Sequence, residues 1–179
     1  MIVAGSRSSI TQKQKARLEA DYPGWSVPPE IFLDPEWQYD PSIKEILQAV
    51  SERSHPVMLI STDTTQMAVK NVKEKAEEIN IPMAEATKKI AEGLGRLTRL
   101  IFDIETFDSV LMTGGDVARA VCLSLESIEF ELFQEFEPGI PLGRLRGYYN
   151  PIAITKAGAF GTENTFVHAV ETLRGEILK

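Results

Sequence analysis

Val110-Leu111-Met112-Thr113-Gly114-Gly115-Asp116 passes from an uninterrupted apolar run to a double glycine and an acid. Ala118, Val121, Cys122 and Leu125 then recur at helical spacing. The stretch predicts a strand, a tight turn and a helix. The same succession occurs twice more. Ile2-Val3-Ala4 runs into Gly5-Ser6-Arg7-Ser8, and Ile152-Ala153-Ile154-Thr155 runs into Lys156-Ala157-Gly158-Ala159-Phe160-Gly161. Apolar runs without alternation suit strands buried on both faces, as in parallel sheets. Strands alternating with helices predict an α/β fold of three layers, a mostly parallel sheet with helices on both faces.

Outward from these turns, Ser9 and Gln12 have capping-box spacing and predict a helix beginning at Ser9. Ile10, Gln14, Leu18 and Tyr22 would share its inner face, and Pro23-Gly24 would end it. Ile31-Phe32-Leu33 predicts a short strand. Asp40-Pro41 reads as an N-cap followed by proline at the first helical position. Ile43, Ile46, Leu47 and Val50 follow at i, i+3, i+4 and i+7. Val57-Met58-Leu59-Ile60 predicts a buried strand that stops at Ser61-Thr62-Asp63.

Two helices follow, one with Ala68, Val72, Ala76 and Ile79 on its face, the other running from Met83 to Ile101. Gly93 and Gly95 would weaken the second by about 1 kcal/mol each relative to alanine, so a close helix contact or a kink is expected. Phe130, Leu132 and Phe136 alternate with Glu131 and Glu135, as in a strand with one wetter face. Pro138-Gly139-Ile140-Pro141 is a break, and Phe166, Val170, Leu173 and Ile177 predict a last helix. No repeat, low-complexity tract or linker divides the chain, so residues 1–179 read as a single domain.

Composition removes several classes of function. The net charge is −7, which disfavours a non-specific grip on nucleic acid. No apolar run approaches the ~18 residues that span a bilayer. Met1-Ile2-Val3-Ala4-Gly5 lacks the basic region and length of a signal peptide, so a cytoplasmic location without membrane attachment is expected. Cys122 is the one cysteine, which excludes an internal disulfide and a cysteine-built metal site. His55 and His168 lack ligand spacing, so no protein-held metal is expected and both read as surface or packing residues. Trp25 and Trp37 read as packing anchors. Lys70, Lys73 and Lys75 with Glu74, Glu77 and Glu78 read as a solvated helix face.

The three glycine turns carry the functional signal. In an open α/β sheet, ligands bind at the carboxyl ends of the strands. Each turn also feeds a helix N-terminus, whose unpaired N–H groups and dipole favour an anion. None matches GxxxxGK[ST] or GxGxxG, so a redox dinucleotide enzyme is disfavoured. The residues alone point to a phosphate or nucleotide binder.

Four segments carry a resemblance. Val3-Ala4-Gly5-Ser6-Arg7-Ser8, Thr113-Gly114-Gly115-Asp116-Val117-Ala118, Glu137-Pro138-Gly139-Ile140-Pro141-Leu142-Gly143-Arg144-Leu145 and Lys156-Ala157-Gly158-Ala159-Phe160-Gly161, leading into Asn164-Thr165-Phe166, look like the C-terminal domain of the four-carbon acid sugar kinases. The resemblance implies ATP with Mg2+ carried by the nucleotide, and ATP/ADP as ligands. It also implies a sugar-acid-binding N-terminal domain, absent from this sequence or separately encoded, without which the chain would be inactive alone. Exposed apolar surface where that domain docks would favour a homo-oligomer.

The nucleotide contacts it implies are Gly5, Ser6 and Ser8; Gly114, Gly115 and Asp116; and Lys156, Gly158, Ala159, Phe160 and Gly161. Asp116 would hold magnesium through water or accept a proton, with N-capping of the following helix as its structural alternative. Lys156 would neutralise phosphate or be an ordinary solvated lysine. Arg144 and Arg146 would meet phosphate or the other domain. The sequence departs from the family at Arg7, at Val117, where a hydroxyl is usual and would be lost as a ligand or metal contact, and at Ala159, where glycine is usual. The reading from a different class is a non-catalytic module that binds a phosphorylated metabolite or a partner.

Overall fold

The computed structural model describes residues 1–52 and 56–177. His55 lies outside the described residues, as does the side chain of Ile177. In chain order the elements are β1 (Ile2–Ala4), α1 (Ser9–Glu19), β2 (Gly24–Val27), α2 (Pro41–Ser51), β3 (Leu59–Thr62), α3 (Gln66–Glu78), α4 (Met83–Ile104), β4 (Ser109–Thr113), α5 (Gly115–Ser124), β5 (Ser127–Glu137), β6 (Ile140–Gly147), β7 (Ile152–Lys156) and α6 (Thr165–Ile177). The strands form one sheet in the order β2-β3-β1-β4-β7-β6-β5. The first five run parallel; β6 and β5 close the sheet antiparallel.

Alternation along the strands builds the three layers. Val3, Ile60, Val110, Met112 and Ala153 face a core completed by α2, α4 and α5 through Ile43, Ile46, Leu94, Leu97, Ile101, Ala120 and Val121. Ile2, Ala4, Leu59, Leu111 and Ile154 face the opposite layer, where Leu18 of α1 meets Phe166, Ala169, Val170 and Leu173 of α6. The central strands are buried on both sides, so they read as continuous apolar runs.

Several expectations move. The helix α1 begins at Ser9, as expected, but its cap is Ser8, whose hydroxyl accepts from the Thr11 N–H, and it stops at Glu19 rather than at Pro23-Gly24. Ile31-Phe32-Leu33 is not a strand but part of a 3₁₀ turn, Pro29–Leu33. Pro28 and Pro29 bias the chain toward a turn, and Phe32 packs edge-on to Trp37 at 5.2 Å. Strand β3 runs on through Ser61 and Thr62, both buried, where a break was expected.

Strands β2 and β6 give no clear signal in the sequence. β2 begins at the glycine of a Pro-Gly pair, and β6 contains Pro141 and Gly143. Pro141 is tolerated because it precedes the residues paired to β7 and sits beside a register irregularity with β5. The edge strand β5 carries Glu129, Glu131, Glu135 and Glu137 and three register shifts, features that discourage edge-to-edge pairing.

Gly93 and Gly95 mark close contact, as expected. A Cβ on Gly93 would overlap the Phe32 ring, and one on Gly95 would lie 2.6 Å from the Ala120 carbonyl oxygen. Trp37 is buried, and exposed ion pairs Lys70–Glu74, Lys73–Glu77 and Lys75–Glu78 line α3. Among the described residues no helix is long and apolar enough to cross a membrane.

Candidate functional site

Parallel pairing of β1, β4 and β7 brings the three glycine turns together at one sheet edge. The Gly5 N–H donates to the Thr113 carbonyl at 3.1 Å, and the Gly114 N–H donates to the Lys156 carbonyl at 3.1 Å. The first two turns therefore begin by bonding to the strand end beside them. Gly114 has φ +99, which a side chain would strain, and a Cβ there would lie 3.6 Å from the Ser6 nitrogen. A Cβ on Gly158 would overlap the Ser6 hydroxyl.

The hydroxyls serve the turns as well as facing the edge. Ser6 Oγ accepts from the Ser8 N–H at 3.2 Å. Ser8 Oγ donates to the Gly158 carbonyl at 2.5 Å while capping α1. Thr11 Oγ1, fully buried, donates to the same carbonyl at 2.9 Å. Gln14 Nε2 donates to the carbonyls of Phe160 and Thr162 at 3.2 and 2.7 Å, shaping the turn from below. Gly161 has φ +83 and abuts Thr165 Oγ1, which donates to Glu137 at 2.7 Å.

What the turns leave over is a set of donors. The N–H groups of Ser6, Arg7, Ala159 and Gly161 find no acceptor among the described residues. The first turn of α5 follows Gly114, and a Cβ on Gly115 would meet nothing within 4 Å. Unpaired amides and a helix N-terminus are groups that suit an anion. Phe160, 45% exposed, stands on the same edge with its ring against Gly139 of the β5–β6 hairpin.

Asp116 is not an N-cap. Gly114 holds that position, and Asp116 lies one residue into the helix, exposed, with no hydrogen bond or ion pair among the described residues. Lys156 is not solvated: it is 4% exposed and reaches Thr113 Oγ1 at 3.2 Å, Gly158 O at 3.3 Å and Thr11 Oγ1 at 3.5 Å. Burial pushes its ammonium down to about 8, against the opposing pull of Glu137. Val117 points inward, 5% exposed, onto Gly5; a hydroxyl there would not face the edge. Arg7 and Ala159 are exposed beside the unpaired amides.

Arg144 pairs opposite Ile152, at the other end of β7, and donates to the Asn150 carbonyl; Arg146 pairs with Glu131. Neither reaches the glycine turns. His168 bonds to Glu137 at 3.0 Å, and no cluster of acidic, histidine or cysteine side chains suited to a metal occurs among the described residues. A cavity of about 410 Å³ near Met1, Trp25, Met58 and Phe107 opens at the opposite edge of the sheet, away from these groups. Sequence reasoning missed Thr11, Gln14, Thr113 and Glu137 as supports of the turns. A polar residue in the buried stripe of α1, such as Gln14, was the available signal.

The fold and the edge together define a mostly parallel α/β domain with unpaired backbone amides gathered at the carboxyl ends of its central strands. A family model described as a nucleotide-binding C-terminal domain matches residues 1–166, and the chain belongs to that family. It is 26% identical to a D-erythronate kinase of Heliobacterium modesticaldum, over 99% of this chain and 42% of the relative. It is also 26% identical to a 3-oxo-tetronate kinase of Pseudomonas fluorescens, over 98% of this chain and 38% of that protein. The chain thus spans about two-fifths of the curated relatives it matches. A crystal structure from Bordetella bronchiseptica, a domain-swapped dimer with bound citrate, superposes with TM-score 0.75 at 24% identity, covering 97% of this chain and 41% of that one. A Haemophilus influenzae protein superposes with TM-score 0.74 at 18% identity, over 96% and 39%. At these identities the structures support the fold.

Proposed function

We propose that this chain binds ATP at the glycine-turn edge and is the nucleotide half of a kinase for four-carbon sugar acids. The convergence of unpaired amides from Ser6, Arg7, Ala159 and Gly161 beside the open start of α5 carries the reading. These groups suit phosphate oxygens, and Ser6, whose hydroxyl only accepts within the turn, would add a donor at the same place, while Ser8 spends its proton on the Gly158 carbonyl. Phe160 offers an exposed ring to a base.

Magnesium would arrive with the nucleotide, and Asp116, exposed in the first turn of α5, would meet its water shell. In phosphoryl transfer the protein chiefly positions groups and stabilises charge. Here the amides would orient the phosphates, and Asp116 would be the acceptor for a hydroxyl proton once a sugar acid is brought to it. That acid would be held by a second domain, in the same polypeptide or another. Alone, this chain would bind nucleotide and transfer nothing.

A thermal-shift titration with ATP and ADP, with and without magnesium and with NADH as control, tests the reading. Ligand at about 100 times its dissociation constant stabilises by about 2.7 kcal/mol, roughly 5–10 °C for a chain of this size. A magnesium-dependent shift with ATP and none with NADH is expected. No shift at millimolar ATP would overturn it in favour of a module for another phosphorylated metabolite.

A further inference from the structure

We propose that Lys156 is a positioning residue: through the Gly158 carbonyl it sets the outward direction of the Ala159 N–H, and it does not itself touch phosphate. The inference rests on the nucleotide reading above and deepens it.

The geometry starts from one oxygen. The Gly158 carbonyl accepts from Ser8 Oγ at 2.5 Å, Thr11 Oγ1 at 2.9 Å and Lys156 Nζ at 3.3 Å. Lys156 is 4% exposed and Thr11 is 0% exposed, so the carbonyl is drawn into the interior. In a trans peptide the C=O and N–H point in opposite directions, and no peptide bond among the described residues is cis. The N–H across this bond belongs to Ala159, which is exposed and without an acceptor. Holding the carbonyl in therefore turns that amide out, toward the edge where the other unpaired amides lie.

Lys156 ties more than its own turn. An ammonium has three donors, and three oxygens surround this one: Gly158 O in the last turn, Thr113 Oγ1 at the end of β4 and Thr11 Oγ1 in α1. Thr11 spends its proton on the Gly158 carbonyl and keeps lone pairs for the ammonium. The Phe166 ring covers another side at 5.9 Å. Glu137, at the end of β5, is the charged group that acts on Lys156; its oxygens already take Thr165 and His168. With its donors directed inward and its surface covered, Lys156 has no geometry for a direct phosphate contact.

The test uses the full chain as wild type, Thr11→Val, Lys156→Met and the double variant. ATP, ADP and AMP affinities are measured by calorimetry, and the Ala159 amide resonance is followed by NMR in ligand-free protein. No ligand can reach Thr11, so its effect must pass through the turn. Each single substitution should weaken ATP about tenfold, and the double by no more than about threefold beyond the worse single, because both act on one carbonyl. The free Ala159 amide should move in both singles, and should titrate near pH 8 in wild type but not in Lys156→Met.

The proposal is overturned if Thr11→Val leaves ATP affinity intact while Lys156→Met loses affinity in proportion to phosphate number. An Ala159 amide indifferent to both substitutions also overturns it, whether or not ATP binds. A wild type that binds no ATP, but whose Ala159 amide follows Lys156, overturns the nucleotide reading and leaves the positioning role standing. Should Lys156→Met fail to fold, Thr11→Val and the wild-type pH titration decide the matter.

Discussion

Val117 closes over Gly5, so near that a Cβ on Gly5 would overlap the valine Cγ2, with Leu94 next in line. The first and second glycine turns are thus packed together from beneath. Gly5→Ala should cost roughly 1–3 kcal/mol through overpacking. Val117→Ala should relieve part of that, so the double variant loses less than the sum of the singles. Urea unfolding of the three variants measures the coupling, and strict additivity would contradict the contact.

Gly95 sets propensity against packing. Alanine in a helix interior should gain about 1 kcal/mol over glycine. Here its methyl would press on the Ala120 carbonyl, where α4 crosses α5. Gly95→Ala should therefore destabilise by roughly 1–3 kcal/mol. A rise in Tm would show that the two helices can part at little cost.

Ser8 has two tasks, capping α1 and holding the Gly158 carbonyl. Ser8→Ala should cost about 1–2 kcal/mol in stability for the cap. It should also weaken ATP, because the last turn loses a donor. Denaturant melts and calorimetry on the same variant separate the two effects.

Asp116 makes no bond among the described residues, so its removal should leave the fold intact. Asp116→Asn should change stability by less than about 1 kcal/mol, the loss of one acidic charge near a helix N-terminus. The magnesium dependence of the ATP-induced thermal shift should fall. Unchanged magnesium dependence would remove Asp116 from the proposed site.

Lys156 makes stability depend on pH. Its folded-state value is pushed down to about 8 from the ordinary 10.5. Between these values the unfolded chain binds more protons than the folded one, so stability rises with pH across that window. The stability gained at high pH is lost as pH falls toward 8. Lys156→Met should flatten this slope, and stability measured at intervals from pH 8 to 10 in both proteins isolates it from other titrating groups.

The legible parts of the fold are those with a local cause. Strands β1, β4 and β7 announce themselves because burial on both faces demands apolar runs, and each glycine turn is visible at its end. The amphipathic spacing of Ile43, Ile46 and Val50 shows α2 directly, since all three are buried. Strands β2 and β6 stay hidden because Gly24, Pro141 and Gly143 disfavour a strand locally, and pairing with neighbours overrides them. The cap of α1 shifts from Ser9 to Ser8 because both serines satisfy the same local rule.

The site divides along the same line. The glycine turns, their hydroxyls and the acid at 116 could be read from residue type and position alone. The state of Lys156 could not: a lysine at a strand end is solvated or buried according to what packs over it, here Thr11 and Phe166 from distant helices. By itself the sequence determined the alternation of strands and helices and the three glycine turns. Only the tertiary structure decided that the turns share one edge, that Val117 and Lys156 face inward, and that Arg144 and Arg146 lie at the far end. The reason is that strand order in the sheet, β1 beside β4 beside β7, arises from pairing between distant segments, which no local pattern of residues encodes.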